Sequence, residues 1–213
     1  MQRLSLAILI ILALATSSFA QTSRRHSRKH QPPPETPHMP SAKQSPEMKK
    51  LVDSFAGMWK TTATVEKNAM FPIAGTSEGR SDIRSGPAGN SLIERSRSHG
   101  VMGTFAGLGV FWWDPRSTAY KAIWCDSLAL NGCDDLGAGK WDGNNLVFTA
   151  KIDMGGSTMQ MRNTYGDITP DSYTFTMEIA MGDAPMAKMM FIKYQRVQPK
   201  TTTVSPAEPA QTQ

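Results

Sequence analysis

Histidine and cysteine are both scarce in this chain, with four of the first and two of the second in 213 residues. His26, His30 and His38 crowd into one stretch near the start, and only His99 lies beyond it. No C-x-x-C, H-E-x-x-H, P-loop or dinucleotide fingerprint occurs, so the common linear signatures of metal and nucleotide chemistry are missing. The letters G-x-S-x-G occur at Gly75–Gly79, but the flanking sequence reads as strand on both sides. A nucleophile elbow needs a strand-to-helix turn and a later histidine, so this match is taken as chance. Charge is also sparse, at 19% of residues. The pI of about 9.3 comes from Arg3, Arg24, Arg25, Arg28, Lys29 and Lys43. From Glu47 onward acids and bases balance, which argues against a basic groove for nucleic acid. After Gly57 no segment keeps a helical period.

The first 20 residues read as a secretory signal. Arg3 precedes the apolar run Leu4–Ala15, and Ser18-Phe19-Ala20 supplies a small-x-small cleavage site. The apolar run is shorter than the roughly 20 residues of a spanning helix, so cleavage is favoured over an uncleaved anchor. Residues 21–45, QTSRRHSRKHQPPPETPHMPSAKQS, read as a disordered proline-rich linker. Its basic cluster Arg24–His30 is either a solvated spacer or a weak contact to an anionic envelope surface. Residues 198–213 read as a second disordered tail. The expected location is therefore periplasmic or extracellular, with no transmembrane segment after cleavage.

Between these ends, residues 46–197 read as one domain. Ser45-Pro46-Glu47 opens a short helix, with Ser45 as N-cap and Met48, Leu51, Val52 and Phe55 on one stripe. Then come about ten strands separated by turn residues at short intervals, among them Asp114-Pro115, Asn131-Gly132, Asp142-Gly143 and Gly155-Gly156. The expected fold is all-β: an up-and-down antiparallel barrel of roughly ten strands behind one N-terminal helix. A two-sheet sandwich is the alternative. The central stretch is Met102–Asp126, where Gly103, Phe105, Gly107, Gly109, Phe111 and Trp113 share one strand face. A glycine row of this kind marks a bend or a close approach, and is read here as space on the inner wall.

Several segments carry a resemblance. The short helix leading into Gly57-Met58-Trp59 resembles the Gly-x-Trp start of lipocalins and related calycin barrels. The order F-A-G-L-G-V-F-W-W-D, Y-K-A-I-W-C-D-S, L-G-A-G-K-W-D-G and F-I-K-Y-Q-R resembles a bacterial family of exported or small proteins. Its members carry one domain of unknown function, with a lipocalin-like or nitrobindin-like barrel. The resemblance spans Pro46–Val197 and implies a fold rather than an activity. Nitrobindin-like barrels hold ferric haem through a histidine late in the chain. Here the last histidine is His99, and Met189, Met190 and Tyr194 are the substitutes, so no haem and no other cofactor is expected.

The leading functional expectation is a non-catalytic barrel for a small, partly apolar molecule. An enzyme with scattered lumenal residues and an envelope-associated structural protein are the alternatives. The cavity candidates are Trp59, Arg95, Arg97, Phe111, Trp113, Tyr120, Trp124 and Asp126. Arg95 and Arg97 share a face with Ile93 and His99, and they line a cavity only if that face points inward; otherwise they are solvated. No catalytic residue is assigned. Cys125 and Cys133 are expected to form a disulfide, as befits an exported protein. Methionines alternate at Met159/Met161 and Met177/Met181. They read as deformable core rather than a Cu(I) site, so no metal is expected.

Overall fold

The computed structural model describes residues 42–67, 72–129 and 132–198. The segments expected to be a secretory signal, most of the expected linker and nearly all of the expected C-terminal tail lie outside the described residues. Helix α1, Pro46–Phe55, starts where the sequence places it: the Ser45 hydroxyl accepts a hydrogen bond from the Met48 amide at 3.2 Å. Its buried stripe is Met48, Leu51 and Phe55. Gly57 then turns the chain at φ 146°, where an added Cβ would strike the Arg196 guanidinium.

Ten strands follow: β1 Gly57–Val65, β2 Gly75–Ser85, β3 Leu92–Gly100, β4 Gly103–Asp114 and β5 Ala119–Asp126. The second half is β6 Cys133–Asp142, β7 Asn145–Asp153, β8 Thr158–Gly166, β9 Ser172–Met181 and β10 Ala187–Arg196. Each pairs antiparallel with its neighbours in sequence, and β1 also pairs with β10, from Trp59 opposite Arg196 to Val65 opposite Met190. That pairing closes a barrel and excludes the two-sheet sandwich. Among the described residues closure leaves no strand with an unpaired edge.

The end carrying α1 is called lower here. Period-two alternation sends Trp59, Ile83, Leu92, Phe111, Phe148, Tyr165, Tyr173 and Tyr194 into the lower interior, where all are buried. The α1 stripe joins the same apolar cluster and plugs that end. Phe55 meets Tyr173 edge-on at 5.1 Å, and Tyr173 stacks on Tyr194 at 4.1 Å. Each large side chain sealed this way contributes roughly 1.5–3 kcal/mol. In the upper half the inward-facing Phe105, Trp124, Met159, Met161, Met177 and Met190 are only half-buried.

Two expectations are settled by register. On β3 the inward face is Leu92 and Glu94, both buried, which turns Arg95, Arg97 and His99 outward into solvent. The glycine row on β4 does mark a close approach, but by the chain itself. A Cβ on Gly107 would lie 2.4 Å from the Trp124 ring, and one on Gly109 would lie 2.8 Å from Phe111 and 3.0 Å from Trp124. The space those glycines leave is taken up by aromatic side chains of this protein. Gly75–Gly79 forms the start of β2, without the turn a nucleophile elbow requires.

Candidate functional site

The aromatic and polar residues singled out from sequence do not share one cavity. Trp59 is sealed at the lower end: its indole donates to the Phe55 carbonyl at 2.9 Å, and the Arg196 guanidinium covers its ring at 4.1 Å. Arg196 also donates to the carbonyls of Ala56 and Pro170, binding the helix exit to the last strand. Phe111 belongs to the packed core. Arg95 and Arg97 stand on the outer wall, which removes them from any lumenal site. At the upper rim, the Trp124 indole donates to Asp126 Oδ2 at 2.9 Å, while Asp126 Oδ1 accepts from the amides of Leu128 and Ala129. Asp126 therefore orders the β5–β6 connection. The Cys125–Cys133 disulfide clamps the same connection, with the two cysteines directly opposite each other.

Trp113 and Tyr120 remain, and the structure brings them together beside α1. Their rings meet edge-on at 5.1 Å. With Pro46, Glu47, Lys50, Thr118, Lys140 and Trp141 they line an open cleft of about 340 Å³ between the helix and the lower barrel rim. The Tyr120 hydroxyl donates to the Glu47 carbonyl at 3.0 Å and accepts from the Trp141 indole at 3.1 Å, which fixes the floor. Burial pushes the Tyr120 phenol above its ordinary pKa, and the Glu47 carboxylate adds to the shift. The Lys50 ammonium sits 3.8 Å above the Trp141 ring, and Lys140, next to Trp141 in the chain, stands exposed at the lip. Lys50, Lys140 and Trp141 could not be placed here from sequence, because they come from two elements far apart in the chain. The spacing of β6 offered the only signal, since Trp141 follows Gly139 on the inward face.

Deeper in, Glu94 is buried without a basic partner among the described residues. Ser81 Oγ donates to its Oε1 at 2.6 Å, Ser96 Oγ lies 2.9 Å from the same atom, and the Tyr194 hydroxyl lies at 3.4 Å. Burial raises the Glu94 pKa, against the pull of these three hydroxyls. Tyr194 is likewise pushed well above the ordinary phenol range, first by burial and then by Glu94. Beside Glu94 the void among Leu51, Phe55, Phe111 and Tyr173 amounts to about 10 Å³, room for about one water.

Among the described residues no histidine faces the interior to hold a haem. The only described histidine, His99, is exposed on the outer wall near Thr104. Tyr194 is stacked on Tyr173 at 4.1 Å, and its hydroxyl lies 3.4 Å from Glu94 Oε1. Among the described residues no group of three or more His, Cys, Asp or Glu is arranged to hold a metal. No helix among them is long and apolar enough to cross a membrane.

The fold and site define a closed ten-stranded antiparallel barrel plugged by one helix, with an aromatic and basic cleft at the plugged end. The family described as protein of unknown function, DUF1579, matches residues 44–196, and the chain belongs to that family. No curated protein matches the sequence. Among solved structures, Rv2717c from M. tuberculosis is similar with a TM-score of 0.51 at 8% identity, covering 73% of this chain and 99% of that one. The S-type phycobiliprotein lyase CPES from Guillardia theta aligns with a TM-score of 0.46 at 11% identity, over 71% and 93%. A de novo designed fluorescence-activating β-barrel aligns with a TM-score of 0.36 at 12% identity, over 68% and 94%. At 8% identity the likeness to Rv2717c is one of fold alone.

Proposed function

We propose that this protein is an exported, non-catalytic barrel that binds a small, partly apolar molecule carrying an acidic group, in the cleft beside α1. The observation that carries this reading is the contrast in space. The core void by Glu94 holds about 10 Å³, whereas the cleft offers about 340 Å³, within the range of small-molecule sites. Its walls supply flat apolar surface from Trp113 and Trp141, and its lips supply two ammonium groups, Lys50 and Lys140, against one carboxylate, Glu47. Aromatic faces take the body of the ligand and the lysines its acid. Export is supported by the disulfide, which forms and persists in oxidising compartments.

The test is a fluorescence titration of the full chain with 1-anilinonaphthalene-8-sulfonate, an aromatic body carrying one sulfonate. Saturable binding should weaken about tenfold in the Lys50→Ala/Lys140→Ala variant and in Trp113→Ala. It should also weaken as salt is raised. Affinity unchanged in both variants would place any binding elsewhere and remove the cleft from consideration.

A further inference from the structure

The upper rim carries a second cluster that the cleft does not use. We propose that Met159, Met161 and Met181 form a thioether site for a soft monovalent cation, Cu(I) or Ag(I). Met159 lies directly opposite Met181 across the β8–β9 pair, and Met161 lies opposite Ile179, one diagonal step from Met181. Met159 and Met161 are two residues apart on one strand and share its inward face with buried Asn163 and Tyr165. The three side chains thus occupy the corners of one small triangle. Direct cross-strand neighbours have Cβ atoms about 5 Å apart and diagonal ones about 7–8 Å, distances that flexible methionine side chains can span. Two further bonds hold the strand ends together: the Gly182 amide donates to the Thr158 carbonyl at 2.8 Å, and the Gln160 amide nitrogen donates to the Gly182 carbonyl at 3.3 Å. On the other side of the triangle Met177 extends the same face, opposite Met190 on β10.

Burial separates this cluster from ordinary core filler. Met48 and Met189 are each 2% exposed and fill gaps, whereas Met181 is 42% exposed and Met159 and Met161 are half-buried at the open end. These side chains are at least partly exposed, as an ion-binding site requires. Three uncharged thioethers suit a soft, singly charged cation and offer little to Zn(II), Mg(II) or Ca(II). Both cysteines of the chain are tied in the disulfide, so no free thiol competes for the ion.

The test titrates the full chain with Ag(I), and with Cu(I) under anaerobic ascorbate against bathocuproine disulfonate. One equivalent should bind, and the Met159→Leu/Met161→Leu/Met181→Leu variant should bind at least tenfold more weakly, with Met48→Leu unchanged. Absence of binding by the native chain, or equal binding by the triple variant, overturns the proposal. A fold-independent readout uses protein labelled with [methyl-13C]methionine. Ag(I) should shift the methyl signals of Met159, Met161 and Met181, assigned by single Leu substitutions. Shifts confined to other methionines, or none, overturn it equally.

Discussion

Glu94 is a carboxyl held inside the barrel, away from the water such a group ordinarily meets. Its carboxyl is buried, accepts at one oxygen from a set of hydroxyls, and has its pKa raised by burial. A carboxyl whose folded-state pKa is raised keeps its proton in the native protein while the unfolded chain releases it. Its contribution to stability is therefore greatest below the ordinary glutamate value of 4.5 and declines as pH rises, until the folded carboxyl itself ionises. Glu94→Gln preserves an acceptor for the hydroxyls and removes the titration. Urea unfolding at pH 5 and pH 8 should show the native chain losing stability relative to this variant at the higher pH. A native chain that gains relative stability on going to pH 8 would contradict a buried neutral acid. Gly107 invites a second substitution. In Gly107→Ala the new methyl collides with Trp124, and overpacking of this kind costs about 1–3 kcal/mol. The thermal midpoint should fall and the near-UV signal of Trp124 should change. An unperturbed midpoint would mean that the indole does not lie over β4.

At the scale of elements, the junction of α1, β1 and β10 depends on one side chain. Arg196 lies over Trp59 and donates to the Ala56 and Pro170 carbonyls. Arg196→Ala should cost about 2–3 kcal/mol, since it strands carbonyls that a charged donor had satisfied. Chemical denaturation measures this directly, and a loss below about 0.5 kcal/mol would reduce the contact to surface decoration. The disulfide acts at the opposite end. Its loop is short, with a sequence separation of 8, and the chain-entropy account gives roughly 2.5 kcal/mol for closing it. The Cys125→Ser/Cys133→Ser pair should lose that amount and loosen the β5–β6 connection, which hydrogen exchange at Leu128 and Ala129 would report. Much of this level was legible in the sequence. Ser45-Pro46 announced α1, and turn residues at short intervals gave ten strands, because turn chemistry is local. The inward face of β3 was not legible. A buried glutamate reads as a surface residue, and the hydroxyls that make Glu94 admissible inside include those of Ser81 and Tyr194, on other strands, besides the nearby Ser96. The glycine row showed that something approaches β4, but not that the visitor is Trp124. The cleft was half legible: Trp113 and Tyr120 are neighbours across one hairpin, while Lys50 and Trp141 meet only once the helix docks.

For the molecule as a whole, the barrel's topology divides its contacts into two kinds. Nine strand pairs join neighbours in sequence, and one, β1 with β10, joins the two ends of the barrel sequence. The Arg196–Ala56 bond in that seam spans 140 residues. Neighbouring hairpins close short loops and form quickly, whereas the seam must close a loop whose entropy cost grows with its length. On this account β10 reaches β1 only after the intervening hairpins have formed, and the seam is expected to be the last pairing made and the first lost. Weakening it should accelerate unfolding while leaving the folding rate nearly unchanged. Stopped-flow chevrons of Arg196→Ala test this: the unfolding limb should rise and the folding limb should overlay that of the native chain. Trp59, sealed beneath Arg196, then becomes a clock for the final event, its fluorescence reporting the moment at which an open sheet becomes a barrel.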